Sequence, residues 1–225
     1  MIYIARIYNN FSEKFGIPRQ SGLVGNSLSR IVFEPEFRNP DAFRGLEGFS
    51  HIWLIWEFSE AVRKGGDSRW KPTVRPPRLG GNERIGVFAS RSPFRPNPIG
   101  LSCVKLEKIE FDTSDGPVLA VRGADLMNGT PIYDIKPYIP YADAHPDARG
   151  GFTDEKEFKT VKVSFTEQAE GKMSTDEQEE LRELLARDPR PAYKRNEKKT
   201  YRFEFAGREI EFEGEGESIK VTNIY

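Results

Sequence analysis

Through the first 140 residues, short stretches of alternating apolar and polar side chains recur between connectors rich in proline and glycine. Residues 2–8, 29–33, 51–58, 84–88, 101–111 and 118–121 carry the pattern, and a period of two is the signature of a half-buried strand. Six strands at this spacing predict a β-barrel, in which no strand is left with an unpaired edge. The connectors are shaped loops: Pro72, Pro76 and Pro77 in the run from Lys71 to Gly81 donate nothing to a ladder and stiffen the backbone. Residues 41–46 predict a short helix covering a flank of the sheet, capped by Asn39 or Asp41 with Pro40 near its start.

Periodicity vanishes between Tyr141 and Thr153, which sets a boundary there and divides the chain into domains 1–145 and 146–225. The tail reads as α+β. Residues 160–165 form a strand, and Ser174 and Glu177 have capping-box spacing ahead of a helix that places Leu181, Leu184 and Leu185 on one face. Asp188-Pro189 stops it. Tyr201, Phe203 and Phe205 alternate, Ala206-Gly207 turns the chain, Ile210 and Phe212 alternate back, and Ile219 and Val221 begin a further strand.

Several function classes fall away. Cys103 is the single cysteine, so intrachain disulfides and cysteine-based metal clusters are excluded and a reducing, cytoplasmic setting is expected. His51 and His145 are too few for a multi-histidine metal site. The longest apolar run, Ile52 to Trp56, is five residues against roughly 18 for a membrane span. The net charge is -1, yet residues 61–100 hold nine Lys and Arg against two Asp and Glu. That arginine-rich stretch suits phosphates, although a solvated basic surface would look the same. Neither a glycine-rich strand-to-helix turn for dinucleotides nor a phosphate-cradling Gly-Lys loop is present.

The densest chemistry lies in residues 89–102. Pro93, Pro96 and Pro98 fix the backbone while Arg91, Arg95 and Asn97 present directional donors, a low-entropy loop of the kind that builds a preformed site. A second loop, residues 14–22, suits either a wall for a heterocycle or a plug for a barrel end. In a third, Asn128-Gly129 marks a tight turn flanked by Asp125 and Asp134, either of which can bond a ribose diol, accept a proton or brace its own loop.

Pro18-Arg19-Gln20, Arg44-Gly45-Leu46-Glu47, Phe49-Ser50-His51, the run Arg75 to Asn82, the run Arg91 to Gly100 and Asp134-Ile135-Lys136-Pro137-Tyr138 together resemble the TrmO family. Asp188-Pro189-Arg190-Pro191-Ala192-Tyr193 is similar to that family's carboxy-terminal domain. The resemblance implies a single-sheet antiparallel β-barrel with a small α+β domain, a homodimer, and an S-adenosylmethionine-dependent methyltransferase. Its expected substrate is N6 of N6-threonylcarbamoyladenosine at position 37 in the tRNA anticodon stem-loop. It places the donor against Pro18, Arg19, Gln20, Ser59, Glu60, Arg91, Leu101 and the segment Arg122, Gly123, Ala124, Asp125. No metal is expected.

Methyl transfer neutralises a sulfonium, so guanidinium groups belong away from the sulfur: Arg75, Arg78, Arg84 and Arg95 are the expected RNA contacts, with Arg91 or Arg95 also suited to RNA phosphate or the threonyl carboxylate. The N6 hydrogen must leave, which makes Asp134 the candidate proton acceptor and Asn97 its orienter, with catalysis by proximity alone as the competing reading. A non-enzymatic β-barrel module that binds RNA or protein is the alternative for the whole chain.

Overall fold

The computed structural model describes residues 1–59, 70–76, 83–154, 160–190 and 195–225. The chain runs through β1 (Ala5–Tyr8), β2 (Leu28–Phe33), β3 (His51–Glu57), a small ribbon of β4 (Thr73–Val74) and β5 (Ile85–Gly86), then β6 (Ile99–Glu110), β7 (Val118–Arg122) and β8 (Pro131–Pro137). Six of these strands close into a barrel in the order β1-β2-β7-β6-β3-β8, antiparallel at every seam. Alternation decides which side chains go in. On β3, Ile52, Leu54 and Trp56 are buried while His51, Trp53, Ile55 and Glu57 face outward. The inner set joins Ile7, Ile31, Phe33, Val104, Leu119, Val121 and Ile132 in one core, each large member contributing about 1.5–3 kcal/mol of burial.

Three expectations change. Residues 84–88 do not form a full strand: Ile85–Gly86 pairs with Thr73–Val74, after which Val87–Ala89 tightens into a 3-10 turn closed by Ser90 N–H on the Val87 carbonyl. The ribbon stands outside the barrel ladder, so nothing extends its pairing. The helix expected over 41–46 is a 3-10 turn, Pro40–Phe43, with the Asn39 side chain accepting from Asp41 N–H at 3.0 Å. Gly45, at φ 87°, separates it from a second turn, Leu46–Gly48, and Phe43 plugs the barrel edge-on to Phe33. Pro131–Pro137 is a barrel strand where a loop was expected; its prolines fall at the first and last positions, where a missing N–H does least harm to the ladder.

The second sheet has the order β10 (Lys199–Phe205), β11 (Arg208–Glu215), β12 (Ser218–Ile224), β9 (Lys162–Phe165), with β9 parallel to β12. The helix Thr175–Ala186 makes both capping-box bonds and buries Leu181, Leu184 and Leu185. Ala206 and Gly207 both have positive φ, as a tight hairpin turn requires. Beyond the helix, Asp188 at φ 52° accepts a forked pair from the fully buried Arg190, at 2.7 and 3.2 Å, and Arg195 reaches the same carboxylate at 2.8 Å. This core recruits chain from far away: Phe11 and Val24 are buried in it and Phe15 and Ile17 pack against it, although all four follow β1.

Candidate active site

An antiparallel barrel gathers the ends of alternate strands at one rim. Here the rim collects the connection after β1, the end of β3, the start of β6, the segment after β7 and the approach to β8, with the β4–β5 ribbon beside them. Together with Gly150, Phe152 and Thr153 they line a half-open cavity of about 1470 Å³.

Gly100 faces Trp56 across the β3–β6 seam, and a Cβ there would run into the indole ring. The bare backbone lets the indole lie across β6. Trp56 Nε1 donates to Ser102 Oγ at 2.9 Å, and Ser102 Oγ donates to Asp125 Oδ1 at 2.5 Å. Asp125 is mostly enclosed, and burial pushes its carboxyl above the usual carboxylate range, while the Ser102 hydroxyl and the Arg91 charge pull it back. Arg91 Nη1 in turn donates to Gln20 Oε1 at 2.5 Å. The loop after β1 is thereby tied to the proline-rich loop before β6. Arg19 lies on the same wall, its guanidinium pKa lowered by burial and by the charge of Arg195, against the opposing pull of Asp188.

Of the expected donor contacts, Pro18, Arg19, Gln20, Ser59, Arg91, Leu101 and Asp125 line this one cavity. Glu60 lies outside the described residues. Arg122 turns away, donating to the Asn26 carbonyl at 2.9 Å and pairing with Glu107 at 3.3 Å. Gly123 is an architectural link, its carbonyl accepting from Gly22 N–H at 2.8 Å and its N–H donating to the Ser27 carbonyl at 3.1 Å, and Ala124 is buried in the barrel core.

Arg75 and Arg84 line the cavity, as does Arg95. Arg78 lies outside the described residues. Arg95 has a structural engagement: Nη1 donates to the Ser90 and Val87 carbonyls at 2.6 and 3.0 Å, stapling its own loop. Asn97 is absent from the cavity wall, and so is Asp134. Asp134 Oδ1 accepts from Ile135 N–H, and its carboxylate meets Lys136 Nζ at 3.1 Å. It sits on the outside of the barrel opposite Ile55, in the row that continues to Leu101.

The site also uses residues to which the sequence reading gave no individual role. Ser102 and Gly100 break an otherwise apolar inward row on β6, a signal that a side chain and a backbone approach are needed there. Glu57 lines the cavity with both oxygens occupied, accepting from Tyr3 and Tyr133 hydroxyls at 2.7 Å each. Both phenols are pushed up, Tyr3 chiefly by its bond to Glu57 and Tyr133 chiefly by burial. Among the described residues, no three His, Cys, Asp or Glu side chains gather as a metal site requires.

Residues 6–144 match the tRNA-methyltransferase O N-terminal domain, and residues 159–225 match the TrmO C-terminal domain. The chain belongs to the TrmO family. A TrmO-family relative from Escherichia coli K12, tRNA (adenine(37)-N6)-methyltransferase, is 44% identical over 206 residues, covering 88% of this chain and 86% of its own length. A Pseudomonas aeruginosa protein described as a putative S-adenosylmethionine-dependent methyltransferase is 42% identical over 201 residues, covering 86% of this chain and 83% of its own. The crystal structure of TrmO from Pseudomonas aeruginosa superposes with a TM-score of 0.78 at 32% identity, covering 99% of this chain and 97% of that one.

Proposed function

We propose that this chain is an S-adenosylmethionine-dependent methyltransferase acting on N6 of adenine 37 of tRNA, in its N6-threonylcarbamoyl form, within the anticodon stem-loop. The observation that carries the reading is the convergence of Arg91, Gln20 and the Trp56–Ser102–Asp125 relay on one cavity whose other wall bears Arg75 and Arg84.

The donor set fits the ligand. A carboxylate in a largely enclosed site accepts from a ribose diol or an ammonium, and the Arg91 guanidinium matches a carboxylate. Leu101, Met127 and Ile17 supply apolar wall for a heterocycle. When bound, the donor supplies an electrophilic methyl group on a sulfonium. The chain's part is to bring adenine N6 in line, exclude water and accept the N6 proton. Asp125 is the acceptor that the cavity favours, because burial raises its affinity for a proton. Asp134 and Asn97 keep a catalytic role only in an assembly, such as the expected homodimer, that brings their face of the barrel to a cavity. Arg75 and Arg84 hold tRNA phosphates. A cytoplasmic location follows from the substrate.

Mass spectrometry of tRNA digested after incubation with the chain and S-adenosylmethionine tests the reaction. Methylated threonylcarbamoyladenosine is expected. No methyl transfer together with no donor affinity by calorimetry would leave an RNA-binding module instead. Single-turnover rates separate the acceptors: Asp125→Asn slows the chemical step by about a hundredfold, while Asp134→Asn and Asn97→Ala leave it unchanged unless the homodimer recruits them.

A further inference from the structure

Phe88, Phe94 and Trp70 stand 70%, 50% and 47% exposed, Trp70 just before β4, Phe88 just after β5 and Phe94 in the proline-rich loop that leads to β6. Phe88 and Phe94 border the cavity, and Trp70 stacks on Phe88 with ring centroids 6.2 Å apart and planes 21° from parallel. An exposed stacked pair with a third exposed ring on the adjoining loop of the same cavity rim marks a candidate binding surface.

The rings are held from within. Lys71 N–H donates to the Phe94 carbonyl at 3.3 Å, and Val87 N–H donates to the Pro72 carbonyl at 2.9 Å. These bonds place the residues bearing Trp70 and Phe88 side by side across the ribbon. Lys71 Nζ lies 5.4 Å from the Phe94 ring and the Arg95 guanidinium 5.6 Å from the Phe88 ring. Because Arg95 also staples the backbone beneath, the surface exists before any ligand arrives, and binding has little to order.

Charge selects the ligand. The described residues 70–76 and 83–95 contain Lys71, Arg75, Arg84, Arg91 and Arg95 but only Glu83 as an acid. Flat π faces interleaved with cations match a strand whose own flat faces alternate with negative charges, which is unpaired nucleic acid. Double-stranded RNA hides those faces in its stack.

We propose that Trp70, Phe88 and Phe94 form a stacking platform for the unpaired nucleotides that flank the target adenine. This rests on the methyl-transfer reading of the neighbouring cavity. An adenine that reaches Asp125 must leave its own stack, and the rings replace the contacts its neighbours lose. The platform positions the RNA and takes no part in bond making.

The test titrates the full chain, with S-adenosylhomocysteine present, into anticodon stem-loops carrying 2-aminopurine on one side or the other of adenine 37. Quenching of at least one probe is expected. The double variant Trp70→Ala, Phe88→Ala should lose that quenching and bind the stem-loop about tenfold more weakly, with an unchanged dependence on salt. Arg75→Ala, by contrast, should flatten the salt dependence. Trp70→Phe with Phe88→Tyr should restore binding.

Unaltered fluorescence of both probes at saturating wild-type chain overturns the proposal, and this measurement needs no variant to fold. Wild-type affinity in the alanine variant overturns it as well. So does a change in sedimentation with unchanged RNA affinity, which would assign the rings to a contact between copies. None of these readouts depends on turnover. A wild-type chain that binds the stem-loop but transfers no methyl group defeats the cavity reading and leaves the platform standing.

Discussion

Among the described residues, Asp125 and Glu180 are carboxylates whose pKa is raised by burial, and they have opposite uses. Asp125 faces the cavity, so its burial sharpens any interaction with a donor; Asp125→Asn should raise the KM for S-adenosylmethionine about tenfold, read from steady-state rates at saturating tRNA. Glu180 faces the second core, where burial raises its pKa and the Asn10 amide, donating at 2.9 Å, opposes the shift. A raised value means that the folded chain holds this proton more tightly than the unfolded one. Its contribution is complete below the ordinary carboxylate range and is lost as pH rises through the raised value. Glu180→Gln should therefore melt higher than the wild type at neutral pH, with the difference closing towards about pH 4 in thermal scans. Which polar residue does what was only partly legible in the sequence. Arg91 and Arg95 sit in one proline-rich run, yet Arg91 bonds Gln20 across the cavity while Arg95 closes its own loop. Spacing along a chain does not say which carbonyl a guanidinium will find.

At the level of the element, β6 shows how a strand can serve a core and a site at once. Its inward row starts with Gly100 and Ser102 at the rim and continues with Val104 and Leu106 in the barrel. Gly100→Ala adds a methyl group where the Trp56 ring lies, and the ring must shift from Ser102. The expected result is a loss of about 1–3 kcal/mol in urea unfolding, together with weaker donor binding, because Ser102 loses the partner that orients it towards Asp125. Barrel strands of this kind were readable because alternation survives wherever one face is buried. Pro131–Pro137 hid behind its two prolines, and the ribbon looked longer than it is because Arg84 to Phe88 alternates without a neighbour to pair beyond Gly86.

Across the whole molecule, the two sheets share chain. Phe11 is fully buried against Phe205 in the second core, while its carbonyl accepts from Asn128 N–H at 2.8 Å on the barrel side. Phe11→Ala should cost about 3–5 kcal/mol and, in urea titrations followed by tryptophan fluorescence and far-UV circular dichroism, separate transitions that coincide in the wild type. The two sheets were legible as two pattern regimes; that a connection within the first would be anchored in the second was not, since Phe11, Phe15 and Ile17 are spaced without a strand or helix period that would name their neighbours. Pro18, Arg19 and Gln20 hang between those anchors, with Ile17 and Val24 on either side packed into the second core. A shortened enzyme cut back to the barrel would thus keep the Trp56–Ser102–Asp125 side of the cavity but lose the support of the opposite wall, and engineers seeking a minimal version would have to supply a replacement buttress for that loop.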